Sequence, residues 1–242
     1  MTRLFVDLGN SRLKWARDPQ PWQPQAVLHR DRDIASLLDE IWRSLPPPQS
    51  VALVSVAAES IRQTLERWIR ERWHCSIQSF SSQREQGGVV NSYRDPATLG
   101  ADRWAALLGA RTLTKHACIV IDCGTAVTVD VLSSAGVFEG GVIFPGLWLL
   151  RESLGSGTAA VGTNVGDNSS CLARATAAGV AAGTLMGLAG AIERIVREQE
   201  KILGEAPELI VTGGDATLLI PRLGHTAREV PDLVLKGLAS SV

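Results

Sequence analysis

The sequence predicts an α/β protein with two similar lobes, each built on a mixed β-sheet flanked by helices. One pattern occurs twice, in residues 4–14 and 118–126: an apolar run, an aspartate, a variable residue, a glycine and a hydroxyl or amide residue. The two aspartates, Asp7 and Asp122, stand 122 − 7 = 115 positions apart, close to half of the 242 residues. The predicted strands come in antiparallel runs, with helices between and after the runs. This order differs from a Rossmann fold, in which strands and helices alternate strictly. We therefore expect one lobe over residues 1–112 and the other over residues 113–242.

In the first half, strands and helices follow from periodicity and from breakers. The predicted elements are a strand ending at the Asp7–Asn10 turn, a returning strand from Arg12, a helix over 33–45, a strand over 51–56, a helix marked by Ile61, Leu65, Trp68 and Ile69, a strand over 76–80 and a helix over 99–112. Residues 33–45 carry their apolar side chains at helical spacing, and three prolines at 46–48 stop the helix. The apolar run at 51–56 indicates a buried strand.

The second half restarts the same order. The predicted elements are a strand over 117–121, a hairpin strand with Val127, Val129 and Val131 on one face, a third strand ended by Pro145-Gly146, a long helix over 173–202 and a strand over 209–212. The valines alternate with polar residues, which is typical of a half-buried strand. The Thr212-Gly213-Gly214 turn is open to two interpretations, a simple connection or a surface against a nucleotide.

Composition excludes several functional classes. A net charge of −1 without a basic stripe argues against nucleic-acid binding. The four cysteines fit neither a disulfide framework nor a zinc site. Asp7 and Arg12 interrupt the first apolar stretch, so we expect no signal peptide. The uncharged segment 175–192 is rich in alanine and glycine, and we expect a buried helix of a soluble cytoplasmic protein there, without a membrane span.

The two turns have the composition of phosphate-binding loops. Glycine lets the backbone come close to a phosphate, and backbone N–H groups with short hydroxyl or amide side chains donate hydrogen bonds to it. An aspartate is anionic like the phosphate, so its natural role is to hold a magnesium ion that bridges phosphate oxygens. Lys14 adds a compensating positive charge. The P-loop signature is absent from the sequence.

A second dense cluster lies at residues 99–104. Asp102 and Arg103 stand side by side, and phosphoryl transfer needs a base for the acceptor hydroxyl and a cation for an anionic acceptor. The alternative is a capping ion pair at a helix start. Tyr93, the only tyrosine, either orients a polar substrate or is an ordinary half-buried aromatic residue.

Together these motifs resemble the type III pantothenate kinases. The resemblance rests on Asp7-x-Gly-Asn-Ser, on Tyr93 through Gly100-Ala101-Asp102-Arg103-Trp104, on Asp122-x-Gly-Thr-Ala, on Gly140-Gly141-x3-Pro-Gly and on Thr212-Gly213-Gly214. Residues 91–109 are particularly similar to members once called Bvg accessory factor. The resemblance implies two ribonuclease-H-like lobes of the actin-like and sugar-kinase superfamily, and ATP-dependent phosphorylation of pantothenate to 4′-phosphopantothenate, the first step towards coenzyme A. It also implies a homodimer that uses Mg²⁺ and a monovalent cation, K⁺ or NH₄⁺.

The resemblance implies a role for each matching residue. Asp102 would be the base for the pantothenate hydroxyl, and the pantothenate site would comprise Tyr93, Gly100, Ala101, Asp102 and Arg103. Asp122 would hold the monovalent cation and Asp7 the magnesium ion. The ATP-binding residues would be Asp7, Leu8, Gly9, Asn10, Ser11, Arg12, Leu13, Lys14 and Thr125.

One position departs from the family pattern. Many members carry a pantothenate-contacting threonine seven positions before a helix glycine; if that glycine is Gly179, the position is Leu172. Thr176, Ser169 and Ser170 are then the candidate substitutes. The departure keeps an alternative open, an ATP-binding regulatory protein without turnover. A third reading is another phosphotransferase or polyphosphate hydrolase of the superfamily.

Small residues recur every four positions at Gly179, Gly183, Gly187 and Ala191. This stripe suits a dimer interface and packing within one subunit equally.

Overall fold

A computed structural model describes residues 2–18, 22–158 and 170–241. The chain forms two compact units, one of Met1–Leu113 with Asp232–Val242 and the other of Thr114–Pro231. The expected division after residue 112 assigns the C-terminal residues to the second lobe, whereas in the structure they belong to the first unit.

The first unit is built around a five-stranded mixed sheet. Its elements up to residue 113 are β1 (Arg3–Leu8), β2 (Arg12–Asp18), β3 (Gln25–Leu28), α1 (Ile34–Trp42), β4 (Ser50–Ser55), α2 (Glu59–Trp73), β5 (Ser76–Ser79), β6 (Glu85–Gln86), β7 (Val89–Asn91), a 3₁₀ turn (Pro96–Thr98) and α3 (Ala101–Leu113). The strand order is β3-β2-β1-β4-β5. The central strand β1 runs antiparallel to β2 and parallel to β4.

Side-chain alternation along β1 places the core on one face of the sheet and Asp7 on the other. Leu4, Val6 and Leu8 join a core that includes residues of α1 and α2. Three tryptophans strengthen that core, with Trp42 stacked on Trp73 at 5.2 Å between ring centroids. Because neighbouring side chains in a strand point to opposite faces, Asp7 points away from this core. On the sheet, α3 packs against β4.

The second unit contains the same sheet topology. Its elements are β8 (Cys118–Cys123), β9 (Ala126–Leu132), β10 (Val137–Pro145), α4 (Leu147–Gly157), α5 (Thr176–Leu203), β11 (Glu208–Thr212), α6 (Ala216–Leu219), a 3₁₀ turn (Ile220–Arg222) and β12 (Ala227–Glu229). Its five strands run in the order β10-β9-β8-β11-β12. The central β8 is antiparallel to β9 and parallel to β11, as β1 is to β2 and β4. The predicted α/β class with two mixed sheets is therefore confirmed.

The last helix, α7 (Leu233–Ala239), crosses α3 at two glycines. A β-carbon on Gly237 would lie 1.7 Å from the Ala105 carbonyl oxygen, and one on Gly109 would lie 2.4 Å from the Leu233 carbonyl oxygen. The two backbones are therefore as close as their atoms allow. This contact fixes α3, which carries Asp102 and Arg103 in its first turn.

Element boundaries differ from the sequence predictions where local geometry intervenes. α1 ends at Trp42, before the predicted position 45, and α3 begins at Ala101 because Pro96–Thr98 forms its own turn and Leu99 is extended. The sequence predictions missed β3, the β6–β7 hairpin, α4 and the elements after Gly214. The hairpin strands have only two and three residues, too short for a periodic signal.

Among the described residues, α5 alone is long and apolar enough to cross a membrane by length and composition. Of its most apolar 18-residue window, 44% is buried within the protein. Its residues Leu185, Leu188 and Ile192 pack in the core of the second unit. A core helix of a soluble protein meets the same length and composition criterion.

The crossing of α3 and α7 predicts a large effect of a single methyl group. We expect Gly237→Ala to lower the free energy of unfolding by about 3 kcal/mol, because the added carbon forces two packed backbones apart. Urea unfolding followed by circular dichroism measures it. Gly190→Ala, a helix position where an added β-carbon meets no atom within 4 Å, is the control. If both variants unfold at the wild-type urea concentration, the crossing does not constrain α3.

Candidate active site

Asp7 is a buried carboxylate held opposite a lysine. The β1–β2 register pairs Asp7 with Lys14, and Lys14 Nζ lies 3.5 Å from Asp7 Oδ2. Asp7 is 5% exposed. Burial raises the pKa of Asp7, and the charge and hydrogen bond of Lys14 lower it to a smaller extent. Lys14, which was expected to add a compensating positive charge, thus lies beside the aspartate of the same hairpin.

The first turn is fastened from the end of β3. His29 and Arg30 donate from their backbone N–H groups to the Ser11 carbonyl oxygen at 2.9 and 3.4 Å. His29 Nε2 lies 2.8 Å from the Gly9 carbonyl oxygen, and because a carbonyl only accepts, this nitrogen carries the proton. The Arg30 guanidinium donates to Ser11 Oγ. Sequence analysis missed both residues, since a contact across about twenty positions leaves no local pattern.

Asp102 lies in the first turn of α3, where its Oδ1 accepts a hydrogen bond from the Arg103 N–H at 2.8 Å. Burial raises its pKa most; the negative charge of Asp7 raises it further, while the Arg103 N–H and charge lower it. The two carboxylates therefore lie within electrostatic reach of each other. A β-carbon at Gly100 would stand 2.7 Å from Asp102 Oδ1, so the glycine leaves room for the carboxylate.

Arg103 turns its guanidinium to Tyr93. Its Nη1 donates to Tyr93 Oη at 3.1 Å, and its Cζ lies 5.8 Å from the centre of the tyrosine ring. Arg103 is buried and Tyr93 is half-buried. A carboxylate, a guanidinium and a phenol thus meet at the start of one helix. This set can accept a proton from a hydroxyl group and hold an anionic, polar molecule.

The turn of the second unit is packed between two glycines. The Gly146 N–H donates to the Thr125 carbonyl oxygen at 3.0 Å, and a β-carbon at Gly146 would lie 2.2 Å from the Gly124 carbonyl oxygen. Gly213 has a φ of +97°, and its β-carbon would lie 2.4 Å from the carbonyl carbon of Cys123. Only glycine fits at either place. A β-carbon added at Gly141 would lie 2.0 Å from Asp130 Oδ1. Gly141 and Gly213, which belong to the Gly140-Gly141 and Gly213-Gly214 motifs of the sequence, therefore have a packing role.

Asp122 and Thr212 are register neighbours on the parallel strands β8 and β11. Thr212 is fully buried, and its Oγ1 has no hydrogen-bond partner. Burial, with the charges of Asp122, Asp215 and Glu229, raises the pKa of the Cys123 thiol, so this thiol stays protonated. Within the described ranges, no group of three or more histidine, cysteine or acidic side chains has the arrangement of a metal site.

Comparison with known proteins identifies the family. The model of the type III pantothenate kinase family matches residues 3–198. The chain is 39% identical over 238 residues to the type III pantothenate kinase of Alkalilimnicola ehrlichii, covering 98% of this chain and 96% of that one. It is 34% identical over 244 residues to that of Nitrosococcus oceani, with coverages of 98% and 92%.

The chain belongs to the type III pantothenate kinase family.

Two solved structures share the fold of this chain. A Baf family protein of Campylobacter jejuni, described as a transcriptional activator, superposes with a TM-score of 0.62 at 20% identity, over 98% of this chain and 95% of that one. MreB 5 of Spiroplasma citri superposes with a TM-score of 0.50 at 12% identity, over 98% and 95%. These likenesses show that the chain shares the fold of both proteins.

Several residues of the predicted site lie together in the first unit. Within the first unit, Asp7, Lys14 and Asp102 form one electrostatic cluster, and Arg103 joins it to Tyr93. Leu8 and Leu13 are fully buried in the core, so of these two only the backbone remains for a ligand. Asp122 and Thr125 belong to the second unit.

The position that departs from the family pattern also lies in the second unit. Leu172 is 82% exposed and precedes α5, whereas Thr176 is the first residue of that helix. Ser170 accepts a hydrogen bond from the Leu172 N–H at its Oγ, 3.1 Å away. Ser169 lies outside the described residues.

The raised pKa of Asp102 predicts a pH-dependent cost to stability. A carboxyl whose native pKa exceeds its unfolded value favours the native state only while it is protonated, so its contribution is lost as the pH rises through the native pKa. At pH 7 we expect Asp102→Asn to unfold at a higher urea concentration than wild type. This gain in stability should shrink to zero at pH values below 3.8, the ordinary pKa of an aspartate. Urea titrations across pH measure it. Asp18→Asn, at an exposed position, serves as the control; a gain independent of pH would contradict the assignment.

Proposed function

We propose that the protein transfers the terminal phosphoryl group of ATP to the primary hydroxyl of pantothenate, which gives 4′-phosphopantothenate and begins coenzyme A synthesis. The observation that carries the proposal is family membership along nearly the whole chain, with the half-buried Asp102 and the Arg103–Tyr93 pair next to it in place.

Asp102 is the proposed base. An aspartate with an ordinary pKa is a weak base at neutral pH, and the raised pKa of Asp102 strengthens it. Arg103 and Tyr93 present a cation and a phenol suited to the carboxylate and polar groups of pantothenate, with Gly100 and Ala101 at the same helix start. Because phosphoryl transfer depends mostly on alignment and charge neutralisation, a base of this strength suffices.

The proposed ATP contacts are the 7–14 turn, through its backbone, and Thr125. Magnesium is usually held by one or two carboxylates together with phosphate oxygens, and Asp7, with Asp102 within electrostatic reach, fits that donor set. When bound, the ion would neutralise charge on the phosphates. Asp122 is the proposed ligand of the monovalent cation, and the buried Thr212 hydroxyl beside it offers a second oxygen.

Thr176 is the proposed threonine contact to pantothenate. It lies 183 − 176 = 7 positions before Gly183, which is within α5, so the family spacing holds if Gly183 rather than Gly179 is the reference. Leu172, outside the helix and exposed to solvent, is then not the equivalent position. Under this proposal the chain keeps the threonine of the family pattern, which supports an enzyme over a regulatory protein without turnover.

The proposed homodimer has a suitable surface in the second unit. A groove of about 690 Å³ lies between α4 and α5. Its floor includes Gly179, Gly183 and Gly187, and added β-carbons at Gly183 and Gly187 would meet no atom within 4 Å. The nearby Trp148 and Met186 are about 40% and 41% exposed. We propose that a second copy covers this face, and sedimentation equilibrium at micromolar concentration checks it; a monomer there contradicts it.

The proposed reaction predicts ADP release from ATP that requires pantothenate, Mg²⁺, and K⁺ or NH₄⁺. Asp102→Asn should lower kcat by a factor on the order of 10² to 10⁴ while nucleotide binding is kept, because the base is lost and the phosphate turns remain. Coupled ADP assays and calorimetric titration with a non-hydrolysable ATP analogue measure the two effects. Turnover with other acceptors only would favour another phosphotransferase, and nucleotide binding without any turnover would favour the regulatory protein.

Thr176 and Leu172 are distinguished by a pair of substitutions. We expect Thr176→Val, which removes a hydroxyl at nearly constant volume, to raise KM for pantothenate about tenfold and leave KM for ATP unchanged. Leu172→Ala is the matched control and should change neither. Steady-state kinetics with each substrate varied in turn gives both constants, and the reverse pattern would assign the contact to position 172.

A further inference from the structure

We propose that Arg84 is a positioning residue for pantothenate: its guanidinium holds the 91–94 loop so that Tyr93 meets Arg103. The inference rests on the proposed function, which places the acceptor at Tyr93 and Arg103. Arg84 lies outside every motif that the sequence singled out.

One side chain secures three carbonyl groups of the loop. Arg84 Nη1 donates to the carbonyl oxygens of Asn91 and Tyr93 at 3.0 and 2.9 Å. Its Nη2 donates to the Arg94 carbonyl oxygen at 3.0 Å. Loop carbonyls outside a strand ladder need donors from elsewhere, and the planar fork of a guanidinium supplies several at fixed angles. A lysine ammonium has no such fork.

The buried Asn91 fastens the same loop from within. Its Oδ1 accepts from the Tyr93 N–H at 3.1 Å, and its Nδ2 lies 3.3 Å from the Gln83 carbonyl oxygen. Its backbone N–H donates to the Arg84 carbonyl oxygen at 2.9 Å. The backbone at Tyr93 is therefore held at its N–H by Asn91 and at its carbonyl by Arg84.

The position of the loop determines where the Tyr93 side chain lies in the site. Tyr93 Oη accepts from Arg103 Nη1 at 3.1 Å, and Arg103 follows Asp102 in α3. If Arg84 is removed, three carbonyls lose their donor and the loop can shift, which moves the phenol away from the guanidinium. A displacement of about 1 Å at a substrate-positioning group is enough to cost up to 10²-fold in rate.

Arg84→Ala tests the proposal, because Arg84 is exposed and its truncation leaves the core intact. We expect kcat/KM for pantothenate to fall by a factor on the order of 10 to 10², mainly through KM, while KM for ATP is unchanged. Arg84→Lys should not restore the wild-type value. Millimolar guanidinium should restore it partly in Arg84→Ala and not in Asp102→Asn. Arg43→Ala is the matched control, since Arg43 directly follows α1 and its side chain is 68% accessible.

A spectroscopic measurement separates positioning from general structural effects. Tyr93 is the only tyrosine of the chain, so ¹³C-labelled tyrosine gives one set of ring resonances. We expect Arg84→Ala to shift that set, guanidinium to return it and Arg43→Ala to leave it in place.

The outcomes are distinguishable. Unmoved resonances, or moved resonances with an unchanged KM for pantothenate, overturn the positioning role of Arg84. Wild-type protein without pantothenate-dependent turnover overturns the proposed function instead, and the resonances then still decide whether Arg84 holds the loop.

Discussion

The site of the first unit depends on the register of the β1–β2 hairpin. Burying the carboxylate of Asp7 is costly unless a positive charge accompanies it, and this register places Lys14 directly opposite. The same register directs Leu8 and Leu13 into the core. A slip of one residue would turn Lys14 to the opposite face and leave Asp7 buried without it. Core packing therefore selects the register, and the register lowers the cost of burying the carboxylate of Asp7.

The second requirement is that α3 approaches the face of the sheet that carries Asp7. The glycines at positions 109 and 237 let α7 lie directly on α3, and α7 also packs on β1 and β4. The C-terminal helix thus links the helix of Asp102 to the strand of Asp7. The electrostatic influence of Asp7 on Asp102 arises from this packing, because the two residues are 102 − 7 = 95 positions apart in the sequence.

The sequence predicted the motifs that occur twice and the elements whose apolar residues are regularly spaced. The duplicated turn, the hairpin after each turn and the valine alternation in β9 all follow from spacing, and the α/β class with two mixed sheets followed from them. Contacts between residues that are distant in the sequence produce no such pattern. The His29 side chain contacts the Gly9 carbonyl oxygen, which is 20 positions away in the sequence. Arg84 contacts backbone carbonyl groups, and because every residue has one, no sequence pattern marks them. The short β6–β7 hairpin and the α7 crossing are likewise set by tertiary contacts, which periodicity does not report.

The two units show how one topology supports two electrostatic settings. Both sheets place an aspartate near the end of the central strand, before a glycine turn and an antiparallel return strand. Opposite Asp7 stands a lysine, whereas opposite Asp122 stands Thr128, a neutral hydroxyl, with the buried Thr212 on the other side. The turns are also fixed differently, the first by the His29 and Arg30 side chains and the second by close-packed glycines. Equivalent backbones thus place a lysine opposite one aspartate and a threonine opposite the other. The duplicated motif alone therefore does not determine what each copy binds.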